Sequence, residues 1–217
     1  IVKNGESVYY ADYLTALEKA PGDSTVVFYA EVETEDTLCI EKSITLELFS
    51  DYTYKGDGYA FEIINEATVS IVGEGELISL GRGIYINKAT LNLLVNVSSI
   101  NRVLGIYDGA TVNVGSSEKG AERISLESST LLPSEYTIVF LQREAGTLTL
   151  NITNADVINN TFGTISGNGS GDQTHICNIT IDNTTVISRI IEGEYFKVNQ
   201  MLNSNFETKV SINKKEF

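Results

Sequence analysis

The phrase ATVSI (Ala67–Ile71) decides the reading of this chain, because it returns. It comes back as ATLNL (Ala89–Leu93), ATVNV (Ala110–Val114) and GTLTL (Gly146–Leu150), more loosely as CNITI (Cys177–Ile181), with ITLEL (Ile44–Leu48) as an earlier copy. The intervals are 23, 22, 21, 36 and 31 residues. A strand phrase recurring about every 20–25 residues is the signature of a solenoid, in which each repeat buries its apolar face against its neighbours.

Within the phrase, side chains alternate between faces, as in any strand. Val69 and Ile71 point inward, and so do Leu91 and Leu93, Val112 and Val114, Leu148 and Leu150, and Ile179 and Ile181. Thr, Ser and Asn take the outward positions. A second phrase lies between the first: GIYI (Gly83–Ile86) returns as GIYD (Gly105–Asp108), with AFEI (Ala60–Ile63) as the preceding copy. A third short run appears as ELIS (Glu76–Ser79) and NVSSI (Asn96–Ile100). Three short strands per roughly 22 residues, punctuated by Gly and Asn, predict a coil of triangular section with parallel stacking. The two long intervals predict insertions between Gly115 and Ile138 and between Asn159 and His175, where binding loops are often carried.

The ends differ. Residues 7–20 (SVYYADYLTALEKA) place Tyr10, Tyr13, Leu14 and Leu17 at helical spacing, and Pro21-Gly22 stops the pattern. A short helix covering the open end of the coil is the expected remedy for exposed strand edges. Rungs are expected over 25–190, and 191–217, with Tyr195, Phe196, Met201, Leu202 and Phe206, is expected to close the other end. The whole chain, 1–217, reads as one domain.

Composition bounds the function. Fifteen basic residues stand against 29 acidic ones, a formal charge of −14. Such a surface repels phosphate, which argues against nucleic acid as a partner. No run of about 18 apolar residues is present to span a membrane. The chain starts at Ile1 without a Met, as expected of a mature or trimmed protein, so missing targeting signals say nothing of its origin. Cys39 and Cys177 are too few and too far apart for a disulfide scaffold, and Cys177 falls in the small-residue column of Ala67, Ala89 and Ala110, where it serves as a small hydrophobe.

These residues resemble a known group. The helix followed by APGD (Ala20–Asp23) and a VVF strand, then IEKSITLEL (Ile40–Leu48) and ATVSIVGEGELIS (Ala67–Ser79), is similar to the pectate-lyase-like right-handed parallel β-helix modules of secreted and cell-surface bacterial proteins. The likeness covers about residues 7–188. It implies the right hand of the coil, and either a polysaccharide lyase or hydrolase or a surface module without chemistry.

The residues point to few chemical constellations. A glycoside hydrolase needs paired carboxylates; Asp156, Asp172 and Asp182 are scattered, and neither an Asp-Asp pair nor a Gly-His-Gly occurs. The lone His175 reads as structural or exposed. Asp51 and Asp57, in DYTYKGDG (Asp51–Gly58), could offer oxygens to Ca²⁺, or simply form a tight turn; no other cofactor is expected. Tyr85 and Tyr107 recur at the same outward position, stacked either as a platform for sugar rings, with Arg82, Arg102 and Asp108 close by, or merely as sheet stabilisers. Arg82, Arg102, Arg123 and Arg143 recur every 20 or 21 residues, but drift against the strand phrases. Six Asn-x-Ser/Thr triplets begin at Asn96, Asn151, Asn159, Asn168, Asn178 and Asn183.

The reading is therefore an all-β, single-stranded parallel β-helix with a capping helix, secreted or on a cell surface. It is expected to be a non-enzymatic adhesion or display module that meets carbohydrate or a surface protein. A polysaccharide lyase or glycoside hydrolase and a purely structural spacer are the alternatives. Carboxylates and an arginine converging in a groove would favour the enzyme; a smooth flank of Thr, Asn and Tyr would favour binding.

Overall fold

In the computed structural model, residues 1–129, 135–160, 163–169 and 174–188 are described. The expected closing segment at 191–217 lies outside them.

The alternating phrase forms one face of the coil. Ser24–Phe28, Ile44–Leu48, Thr68–Gly73, Thr90–Leu93, Thr111–Val114, Gly146–Thr153 and His175–Asp182 lie side by side, all parallel. The second face runs from Val32–Thr34 through Tyr52–Tyr54, Leu77–Ser79, Val97–Ser99, Ile124–Ser128 and Ala155–Asn159 to Thr185–Ser188. The third runs from Leu38–Ile40 through Tyr59–Ile63, Arg82–Asn87, Leu104–Tyr107 and Tyr136–Gln142 to Gly163–Gly169. Each turn of chain visits the three faces in order, so this is a parallel β-helix with three strands per rung.

The inward aliphatic residues make one continuous core. Leu46, Val69, Ile71, Leu91, Leu93, Val112, Leu148 and Leu150 are fully buried. Ala67, Ala89 and Ala110 stand in single file, because the amide N–H groups of Thr90 and Thr111 donate to the carbonyls of Ala67 and Ala89 at 2.8 and 2.9 Å. Where the first face turns to the second, Gly73 takes φ +120°, and a Cβ there would meet the Leu48 backbone, so only glycine fits.

Three copies of the repeat sit two residues away from their sequence alignment. Leu148, not Gly146, follows Ala110 in the column, since Val112 pairs with Leu150; Cys177 then pairs with Leu148. Val69 pairs with Ile44, placing Lys42 rather than Ile44 beside Ala67. On the third face Ile84 pairs with Leu104 and Asn87 with Tyr107, so GIYI and GIYD are also offset. A slip of one residue would turn every side chain to the wrong face, whereas a slip of two preserves the alternation. The pattern alone therefore admits both registers. AFEI against GIYI, and ELIS against NVSSI, hold as read.

The second long interval is not an insertion: Gly163–Gly169 is the third-face strand of its rung and pairs with Tyr136–Gln142. At the N-terminus the helix is shorter than the periodicity implies, spanning Tyr13–Lys19. Ser7 instead belongs to a hairpin, Val2–Lys3 with Glu6–Ser7, that pairs antiparallel onto the edge of Ser24–Phe28. Asp12 starts the helix by accepting from Thr15 N–H at 2.7 Å. Ala16, Leu17 and Ala20 are buried, while Tyr10 and Leu14 are exposed. Lys42 Nζ donates to the carbonyls of Leu17 and Ala20, each at 2.6 Å, placing a cation at the negative end of the helix.

Candidate functional site

The third face gathers most of the polar and aromatic residues singled out in the sequence. Tyr85 and Tyr107 are not opposite one another, because Tyr85 pairs with Gly105. Their rings still meet on the diagonal, centroids 4.8 Å apart and planes 30° apart, and Tyr59 extends the file at 5.4 Å from Tyr85. Gly105 makes this possible: a Cβ there would collide with the Tyr59 hydroxyl.

Guanidinium groups tie the file together. Arg102 Nη1 donates to the hydroxyls of Tyr59 at 3.1 Å and Tyr107 at 3.0 Å. Its Nη2 reaches Glu135 Oε2 at 2.9 Å, while Arg82 Nη2 reaches Glu135 Oε1 at 2.8 Å. Arg82 also lies 5.7 Å from the Tyr59 ring centroid. Burial works against the Arg102 charge, but the Tyr59 phenol, Glu135 and Tyr107 outweigh it and hold its pKa above the ordinary arginine value. Burial likewise drives the Tyr59 phenol well above the usual tyrosine range, with Arg102 pulling the other way.

Asp108 is buried at 3% exposure, facing Arg143 rather than solvent. It accepts from Arg143 Nη2 at 2.7 Å, Arg143 Nε at 3.1 Å and the backbone N–H groups of Arg143 and Glu144. Desolvation would raise its pKa, but these donors prevail and hold it below the ordinary carboxylate value. The Arg143 guanidinium, on a side chain 60% exposed, covers the Tyr107 ring at 5.3 Å.

The cluster thus brings together Tyr85, Tyr107, Arg82 and Asp108. Sequence reading missed Tyr59, Glu135 and the part played by Arg143. The 20-residue step from Arg82 to Arg102 was the available signal: it is the true register between Arg82–Asn87 and Leu104–Tyr107, where the repeated GIY suggested 22. Carboxylates and arginines do converge, but as closed ion pairs. Each oxygen of Glu135 already has a guanidinium, which leaves it poorly suited to accept a proton from a substrate.

Asp51 and Asp57 are not brought together. They flank the strand Tyr52–Tyr54, both exposed, and Asp51 Oδ1 accepts from Glu76 N–H at 2.9 Å. Among the described residues no three His, Cys, Asp or Glu group to hold a metal ion. His175 bonds the Arg143 carbonyl at 3.0 Å and Thr174 Oγ1 at 3.1 Å. Both cysteines are free: Cys39 is exposed, and Cys177 is half-buried against the core. Asn159, in a glycan-acceptor triplet, is 1% exposed and bonded to Ser128 Oγ and Gly163 O. A glycan has no access to it.

The first face carries a different surface. Thr68, Thr90, Thr111, Thr149 and Asn178 form one outward column; Thr25, Thr45, Ser70, Asn92, Asn113, Asn151 and Thr180 form the next. Neither contains a charge, in a protein with 44 charged side chains (15 basic and 29 acidic). Amides link the second column: Asn92 Nδ2 donates to Ser70 Oγ at 3.2 Å, Asn113 to Asn92 Oδ1 at 2.9 Å, and Asn151 to Asn113 Oδ1 at 2.9 Å. Rungs lie about 4.8 Å apart, so this is a flat, regular array of hydroxyl and amide groups.

No protein-family model, curated protein or solved structure matches this chain. Among the described residues no helix is long and apolar enough to cross a membrane.

Proposed function

We propose that this chain is a non-enzymatic adhesion or display module of the pectate-lyase-like β-helix type, secreted or held on a cell surface, and that it meets a neutral glycan. The observation that carries this reading is the pair of uncharged Ser/Thr/Asn columns on the first face. A neutral polyhydroxylated polymer lying along the coil would find donors and acceptors at every rung, without having to desolvate an ion. The saturation of Glu135 and Asp108 by arginines supports binding over hydrolysis or elimination.

A second reading places the sugar on the third face. Its support is the half-exposed Tyr85 and Tyr107 pair, rimmed by Arg82 and Asp108, although Arg143 and the neighbouring rings occupy much of the aromatic surface. A glycan array probed with the whole chain, with and without Ca²⁺, tests both. Loss of signal in Thr90→Lys/Thr111→Lys supports the first face. Loss in Tyr85→Ala/Tyr107→Ala alone transfers the site to the tyrosines. Signal only with Ca²⁺, abolished by Asp51→Asn or Asp57→Asn, would make the acidic turn part of the site. No signal on any glycan would leave the protein ligand or the spacer role in its place.

A further inference from the structure

We propose that the N-terminal end of the coil holds a binding site for a small organic cation of the methylated-ammonium class. This site does not depend on the proposed glycan binding.

A cavity of about 410 Å³ lies between the stretch Val8–Asp12 and the corner Phe28–Glu33. That volume is within the range of small-molecule sites, roughly 300–1,000 Å³. Four tyrosines line it: Tyr9, Tyr10, Tyr13 and Tyr29. Two of them are fixed in advance. Tyr29 stacks on Phe49 with centroids 5.3 Å apart and planes 22° apart. Tyr13 packs edge-on against Tyr52 at 6.0 Å and tilted against Phe28 at 6.1 Å. Tyr9 is 79% exposed, and Tyr29 is 62% exposed. Both rings are therefore open to a ligand entering the cavity.

Charge selects which partner. The cavity is also lined by Asp12, Glu31 and Glu33. Asp12 is committed to the helix cap, and Glu33 to Lys55 Nζ at 2.6 Å. Glu31 forms no hydrogen bond or ion pair with any described residue, while the Ile1 ammonium, also at the cavity, donates to the Val8 carbonyl at 2.8 Å. Tyrosine rings attract a cation through their negative faces, and a methylated ammonium gives up little hydration in entering such a setting. A net charge of −14 favours its approach. An anion would meet the carboxylates.

Titration of the whole chain with choline, followed by calorimetry and by NMR, tests the site. The comparison ligand is the uncharged carbon isostere, with tert-butyl in place of trimethylammonium. Choline should bind about tenfold tighter than the isostere, the difference that cation–aromatic attraction supplies. Tyr9→Ala, at a position too exposed to disturb folding, should weaken choline several-fold; Glu31→Gln should do the same, and Tyr85→Ala should have no effect. Equal binding of choline and its isostere would reduce the cavity to an apolar groove and overturn the proposal. Absence of choline binding to the wild-type chain would overturn it outright.

Discussion

Glu135 shows how much of this fold's polar chemistry rests on single residues. It sits 8% exposed between two guanidiniums, Arg82 53 residues away in sequence and Arg102 33 residues away. Glu135→Gln keeps the shape but leaves both arginines facing an uncharged amide. Removing one member of a buried ion pair can cost about 3–5 kcal/mol, and here Arg82 at 34% exposure is partly rescued by water. We expect a loss of about 1–3 kcal/mol, seen as a lower urea midpoint at unchanged slope. Asp108 sets an acid limit. Its folded pKa lies below the unfolded value of 3.8, so its contribution to stability is present above that value and is lost as pH falls through the folded pKa. Thermal melts from pH 5 downward should fall more steeply for the wild type than for Asp108→Asn below about pH 4.

At the scale of elements, the first-face column behaves as a ladder. Asn113 donates to Asn92 and accepts from Asn151, so Asn113→Ala removes two bonds at once. The expected cost is about 1–2 kcal/mol, since each net hydrogen bond is worth roughly 0.5–1.5 kcal/mol. Asn92→Ala and Asn113→Ala together should cost less than the sum of the two, because one bond is shared; a double-mutant cycle measures this. The helix Tyr13–Lys19 has only seven residues and owes its existence to packing, not to propensity. Its buried residues Ala16 and Leu17, its Asp12 cap and the Lys42 contacts are all tertiary or terminal. This is why a periodicity of apolar residues over 7–20 overstated its length.

For the molecule as a whole, stacking makes each rung depend on its neighbours. The rungs from Thr68 to Val114 are flanked on both sides by described strands, whereas Leu38–Ile40 and Val32–Thr34 form open edges of their sheets. Hydrogen exchange should therefore be slowest for the amides of Val69, Leu91 and Val112 and markedly faster in Val32–Thr34. The acidic residues Glu31, Glu33, Glu35 and Asp36 around that edge are a defence against edge-to-edge pairing. With a net −14, self-repulsion opposes the compact state, so raising ionic strength from low salt should raise the melting temperature.

Local patterning was enough to establish a single-stranded coil with three strands per rung, which residues face its core, and that Ala67, Ala89 and Ala110 stack. Those properties follow from a period of two, which is written locally in every strand. Tertiary structure alone decided the register, because a shift of two residues leaves that period intact; it placed Tyr107 beside Asn87 and Arg102 beyond Arg82. It also decided the partners of Glu135 and Asp108, and brought Tyr9 and Tyr29 to one cavity. Those groups are far apart in sequence, and no local pattern records which side chains a coil will bring together.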